Sequence, residues 1–271
     1  MRISITVAKD VSENFPVVLR GKDLLESLRK AKEYGYSSVE LHLEDIELKE
    51  FLTLTRVIEQ EDIHVSVLGT GLAYVKEGLS FSNKDDFIRK EAVKRVKKFI
   101  EVASFWGSKV IIGSIRGRVR QLNEKEVYIK LIIDSFKEVL DEAEKNRVTL
   151  LVEPLNRYET NFINKVEEGL EFIKNLSSEY LKLHLDTFHM NIEEDNIKEA
   201  IEKAKSFVKH FHFADNQRKY PGSGHINFEE IKEAIINIGY SEYIGIECLP
   251  LPNAETVAKE SLKFLRGLFL S

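Results

Sequence analysis

Short apolar runs of β type alternate with longer stretches of helical period along the whole chain. The runs lie at 3–7, 38–42, 64–68, 109–113, 148–153, 181–186, 207–213 and 243–247. The helical stretches lie at 22–34, 48–59, 85–105, 124–145, 166–176, 192–204, 228–238 and 254–269. Within the third stretch Val93, Val96, Phe99, Ile100 and Ala103 recur at i, i+3, i+4 spacing, which gives that helix one apolar face. Gly35, Gly107 and Gly239 each close a helical stretch just before a run, a position that suits a helix stop. Strict alternation of strand and helix implies a parallel sheet, and eight such units suggest closure into an α/β (β/α)8 TIM barrel. An open doubly wound sheet is the competing architecture, disfavoured because no Gly-rich phosphate fingerprint follows the first run. No linker, low-complexity tract or short repeat interrupts the alternation, so a single barrel domain over 1–271 is the economical expectation. The longest irregular stretches, 69–84, 114–123 and 214–227, all follow strands. Loops at that end of a barrel build its pocket.

Composition narrows the classes of function. A chain of 271 residues matches the roughly 250 that such a barrel takes. The net charge of -5 supplies no basic footprint for nucleic acid. A single cysteine, Cys248, excludes an internal disulfide and leaves a reducing compartment as the default. The N-terminal residues read as a strand rather than a signal peptide, and no stretch approaches the ~20 apolar residues that span a bilayer. A cytoplasmic location without membrane contact is therefore expected.

The chemistry concentrates where four of the later runs end. Glu153, Asp186, His212 and Glu247 each stand at the C-terminal tip of an apolar run. An ionisable group there is costly without a partner. In a parallel barrel those tips share one face, so the four would satisfy one another around a cation. Three carboxylates and one imidazole suit Mn²⁺, Mg²⁺ or Co²⁺ better than a thiolate-loving metal, with Zn²⁺ still admissible. Any one of them taken alone reads rather as a strand-end cap or an ion-pair partner than as a metal ligand; the four together carry the metal reading.

Longer motifs surround these positions: 153–159 (EPLNRYE), 186–194 (DTFHMNIEE), 210–212 (HFH) and 221–228 (PGSGHINF). They resemble the D-tagatose 3-epimerase family, within the xylose-isomerase-like barrels of sugar isomerases and epimerases. The similarity spans nearly the whole chain and is sharpest between 150 and 250. It implies that Glu153, Asp186, His212 and Glu247 bind a divalent metal, with Mn²⁺ first among the candidates. It implies that Glu153 and Glu247 also move the proton, and that Glu159, His189 and Arg218 contact substrate oxygens. The chemistry is coherent on its own terms. Inverting a hydroxyl-bearing carbon beside a ketone requires removing its hydrogen and returning one to the opposite face. Two carboxylates flanking the sugar can do this, each worth roughly 10²–10⁴-fold, while a divalent ion polarises the carbonyl. Homo-oligomers, dimeric or tetrameric, and a place in sugar or inositol catabolism are further implications.

One loop departs from what a neutral sugar needs. Arg116-Gly117-Arg118 reads as an exposed basic loop or as a clamp for an anionic group, since arginine recognises carboxylate in bidentate fashion. With Gly69-Thr70-Gly71 and the segment 248–252 (CLPLP), it resembles the 5-keto-L-gluconate epimerase branch. That similarity favours a keto-sugar acid (5-keto-L-gluconate and D-tagaturonate) over D-tagatose or D-psicose. Hydroxypyruvate isomerase, inosose dehydratase and sugar-phosphate epimerase are the rivals on the same barrel. An endonuclease-IV-like nuclease fits less well, because seven scattered histidines and an acidic charge differ from its zinc cluster. Among other residues, His210 reads as lying beneath the metal or as a core histidine, and His184 as barrel interior. His225 is open between loop packing and pocket lining. His42, His64 and Cys248 read as structural, and Lys94, Arg95, Lys97 and Lys98 as a solvated helix face.

Overall fold

The β-branched and aliphatic runs become strands because each is buried on both faces. One face packs under helices and the other lines the inside of a closed sheet. The computed structural model describes residues 1–270. Eight parallel strands form the barrel: β1 (Arg2–Lys9), β3 (Ser38–His42), β4 (His64–Gly69), β5 (Lys109–Ile112), β6 (Leu150–Val152), β7 (Leu181–Asp186), β8 (Val208–Phe213) and β9 (Tyr243–Ile246). Pairing of Ile3 with Ile244 and Ile5 with Ile246 joins β1 to β9 and closes the ring. A short ninth strand, β2 (Leu19–Gly21), pairs with Val7–Lys9 of β1, just beyond the stretch that β9 covers. The sequence pattern missed it, since three residues are too few for a periodicity to register.

The helices are α1 (Leu24–Glu33), α2 (Leu48–Gln60), α3 (Gly71–Glu77), α4 (Asp86–Trp106), α5 (Lys125–Asn146), α6 (Val166–Leu176), α7 (Thr187–Glu193), α8 (Ile197–Ala204), α9 (Phe228–Asn237) and α10 (Ala254–Leu270). The apolar face expected on α4 is buried, with Val93, Val96, Phe99, Ile100 and Ala103 all in the core. Gly107 ends that helix with φ 66°, the left-handed conformation that glycine adopts without strain. Arg95 departs from the solvated reading: it pairs with Glu77 at 2.5 Å and Asp45 at 3.3 Å and is largely covered.

Two differences from the sequence reading bear on the mouth of the barrel. Part of the expected 69–84 loop is helix α3, which stops at Gly78 with φ 71°. The stretch expected as one helix over 192–204 is split into α7 and α8. Asp186 caps α7 by accepting from the Phe188 N–H at 2.7 Å, so helix begins directly at the strand tip. Glu194 is extended and Asn196 then caps α8 by accepting from the Glu199 N–H at 3.1 Å. Side-chain capping thus set the boundary more strongly than the apolar period did. Among the described residues, no helix is long and apolar enough to cross a membrane.

Candidate metal centre

Parallel strands deliver their C-terminal residues to one end, and four of them meet there. Glu153 directly follows β6, Asp186 ends β7, His212 lies in β8 and Glu247 directly follows β9. Each offers one ligand-type atom within 4.8 Å of the others, and all four side chains are buried. Asp186 uses Oδ1 to cap α7, which leaves Oδ2 with no hydrogen-bond partner. His212 Nδ1 is likewise without one, 3.5 Å from Glu247 Oε2. Gly113 makes room for the cluster: a Cβ there would stand 2.5 Å from Glu153 Oε2. Three buried carboxylates and one imidazole, with Asp186 Oδ2 and His212 Nδ1 left unpartnered, form a donor set that fits a divalent cation preferring oxygen.

The electrostatics show the strain of this arrangement. Burial, and then the charge of Glu247, push Glu153 up to about 7 and Asp186 up to about 8. Burial also opposes ionisation of Glu247, yet the adjoining His212, with His42 and Arg218, holds it well below the usual carboxylate range. His212 is desolvated too, but Glu40 and Glu247 keep it well above an ordinary histidine.

A cavity of about 280 Å³ opens above the cluster. Its polar wall includes Glu159, His189 and Arg218, so the structure brings all three together with Glu153 and Glu247. Arg218 is held with φ 55°, and its Nη1 donates to Glu159 Oε1 at 2.8 Å. Its Nη2 lies 3.6 Å from Glu247 Oε2, and the guanidinium sits 4.8 Å above the Phe188 ring. His189 is oriented by Asn156, whose side-chain amide lies 2.7 Å from Nδ1 and whose backbone N–H donates to it at 3.3 Å. The Asn156 N–H makes Nδ1 the acceptor and so assigns the proton to Nε2. That atom stands 3.9 Å from both Glu153 Oε1 and Asp186 Oδ2, and the 3.5 Å approach of Arg218 Nη2 to it is then a contact between two donors. Burial, then the neighbouring Arg218, keeps His189 well below the ordinary histidine value and so neutral. Among the described residues, the cavity joins carboxylates that can accept a proton, one neutral imidazole donor and one fixed guanidinium.

Arg116 and Arg118 are not part of this constellation. Arg116 is fully buried, and its guanidinium donates to the carbonyls of Gly113, Phe162 and Ile163 at 2.9–3.2 Å. It is neither an exposed basic residue nor a group facing the cavity. Arg118 is exposed and outside the cavity wall. His225 is exposed and also outside the wall, while the buried Asp215 orders its loop by accepting from the N–H groups of Gly222, Gly224 and Ile226. Cys248 is packed, and burial pushes its thiol up. His184 is inside the barrel with Nε2 3.4 Å from Glu153 Oε1, and His64 stacks on Tyr243 as a structural residue.

Three residues escaped the sequence reading. His42, taken as structural, lines the cavity with Nε2 3.7 Å from Glu247 Oε1. Glu40 lies between His210 and His212. Asn156 orients His189. A signal existed for the first two: Ser38, Glu40 and His42 alternate with Val39 and Leu41, so a polar face runs through an otherwise apolar strand. Asn156 carried none beyond its place in the 153–159 motif.

Comparison with known proteins places the chain in a family. The xylose isomerase-like TIM barrel family matches residues 28–268. A D-psicose 3-epimerase from Ruminiclostridium cellulolyticum is 44% identical over 115 residues, which are 42% of this chain and 39% of that protein. The chain thus spans well under half of that relative. The 3-dehydro-D-guloside 4-epimerase of Escherichia coli K12 is 26% identical over 238 residues, covering 83% of this chain and 87% of the relative. Among solved structures, D-psicose 3-epimerase with D-tagatose from Clostridium cellulolyticum H10 superposes with a TM-score of 0.82 at 24% identity, covering 99% of each chain. That likeness shows the fold.

Proposed function

The chain belongs to the xylose isomerase-like TIM barrel family, and from that premise we propose that it is an isomerase: a metal-dependent epimerase inverting the carbon beside the ketone of a ketose or keto-sugar acid. One observation carries the reading. Two buried carboxylates from different strands, Glu153 and Glu247, reach the cavity and the candidate cation cluster together.

Glu153, Asp186, His212 and Glu247 would hold the cation, Mn²⁺ first. Bound there, it would polarise the ketone and offset the negative charge that develops on its oxygen. The chain's own groups do the rest. One of Glu153 and Glu247 takes the hydrogen from the carbon beside the ketone as a proton, and the other returns one to the opposite face. His189, a neutral donor at Nε2, and the positively charged Arg218 present hydrogen-bond donors to the substrate's oxygens as charge builds on them. Glu159 accepts from Arg218 and keeps its guanidinium turned into the cavity. The names of the relatives, psicose and dehydro-guloside epimerases, support the same reaction type.

The substrate we favour is a keto-sugar acid of the 5-keto-L-gluconate and D-tagaturonate type. Gly69, Thr70 and Gly71, which belong to that similarity, lie in the cavity wall. A second reading, neutral ketohexoses such as D-tagatose and D-psicose, is favoured by the placement of Arg116 and Arg118 outside the cavity. The test is proton NMR in D₂O on Mn²⁺-loaded and EDTA-stripped protein. Metal-dependent deuterium uptake beside the ketone, with the epimer appearing, is the expected result. Relative rates on acids and neutral ketohexoses decide between the two substrates. No exchange on any member of the panel would move the assignment to the isomerase and dehydratase relatives.

A further inference from the structure

Below the four converging side chains, the barrel interior holds a second polar layer that the proton transfers do not use. Glu40, on β3, is fully buried. Its Oε2 accepts from His212 Nε2 at 2.6 Å, and its Oε1 accepts from His210 Nε2 at 2.8 Å. The Ser4 hydroxyl donates to Oε1 as well, at 2.5 Å. A carboxylate offers only acceptors, so both imidazoles must present an N–H at Nε2. For His212 this turns Nδ1 toward Glu153, Asp186 and Glu247, and that atom has no hydrogen-bond partner. The backbone makes space for the contact. A Cβ at Gly245 would overlap Glu40 Oε1 and come within 2.9 Å of His212 Cδ2.

We propose that Glu40 is a positioning residue for cation binding, fixing the tautomer and ring orientation of His212 so that Nδ1 faces the metal. The inference rests on the metal-dependent reading above and extends it to a residue three strands away from β8 around the ring, past β9 and β1. A carboxylate that accepts the far N–H of a ligating histidine holds the ring and raises its basicity. His210 and Ser4 serve to pin the carboxylate itself. A structural role alone, neutralising two buried imidazoles, makes a different prediction. It would support the metal-free fold and leave cation affinity untouched.

Titration calorimetry of the metal-free protein with Mn²⁺ separates the two roles. Glu40→Gln keeps the side chain's shape but sets an amide NH₂ against an imidazole N–H. Mn²⁺ affinity is expected to fall roughly 10–100-fold with the circular dichroism spectrum unchanged. An unchanged Kd in a folded Glu40→Gln protein overturns the role of Glu40 while leaving the epimerase reading in place. Wild-type protein that binds no Mn²⁺ overturns both. If the variant does not fold, ¹⁵N NMR of histidine-labelled wild-type protein loaded with diamagnetic Zn²⁺ carries the test. His212 should show its proton on Nε2 and the metal-shifted resonance on Nδ1. A proton on Nδ1 overturns the proposal.

Discussion

A fully buried arginine and a partly buried one sit on two loops at the same end of the barrel, and their surroundings assign them opposite work. Arg116, after β5, turns its guanidinium to three backbone carbonyls and ties its own loop to the segment at Phe162–Ile163. Arg218, after β8, turns its guanidinium to Glu159 and Glu247 and faces the cavity. Carbonyl oxygens satisfy the donors of Arg116 without placing its charge near a ligand. Carboxylates leave Arg218 as one member of a charged set that a substrate can join. The difference lies in the acceptors each side chain meets, so a basic residue near a barrel mouth is not by itself a substrate contact.

The comparison can be broken at several points. The largest effect is expected on the two carboxylates of the cavity, Glu153 and Glu247. Glu153→Gln or Glu247→Gln should lower kcat by about 10³–10⁴-fold with the fold retained, because each removes a proposed proton-transfer group. A variant with near-normal turnover would sink the two-carboxylate mechanism. Next comes Arg116→Ala, which should cost about 3 kcal/mol in denaturant unfolding by leaving buried carbonyls without donors. The same variant should not change the preference between keto-acid and neutral substrates, and a selective loss on the acids would restore the clamp. Arg218→Ala should show the reverse pattern, a loss of about 10²-fold in kcat/KM with little change in unfolding midpoint. Equal stability losses for the two arginines would erase the distinction.

The smallest effect sharpens the electrostatic side. Burial and then Glu247 hold the Glu153 and Asp186 carboxyls up at about 7 and about 8 in the metal-free protein. Below those values both carry protons that a cation must displace, and His212, held well above an ordinary histidine, carries another. Mn²⁺ affinity should therefore rise as pH increases from 6 to 8 and level off only once His212 has lost its proton. The slope should approach about tenfold per pH unit for each proton displaced. Calorimetry in buffers of different ionisation enthalpy measures the released protons, and pH-independent binding would contradict the assignment.

The barrel was legible in the chain because the helical and strand periods are local properties that each segment carries alone. All eight ring strands and the tips bearing Glu153, Asp186, His212 and Glu247 follow from that alternation. The split between α7 and α8 was not legible, because a single cap at Asp186 outweighs the apolar pattern after it. Glu40 stood in plain sight on a polar strand face. Its link to His212, however, joins residues 172 positions apart in sequence.

By itself, then, the sequence determined the order of strands and helices and which residue types stand at the strand ends. Only the tertiary structure decided which of those groups share a cation-sized space, which arginine is bound to carbonyls and which histidine nitrogen faces the cluster. The physical reason is that hydrophobic period is set within a turn or two of chain. The state of a buried charge depends on the acceptors and donors that closure of the ring brings within about 4 Å.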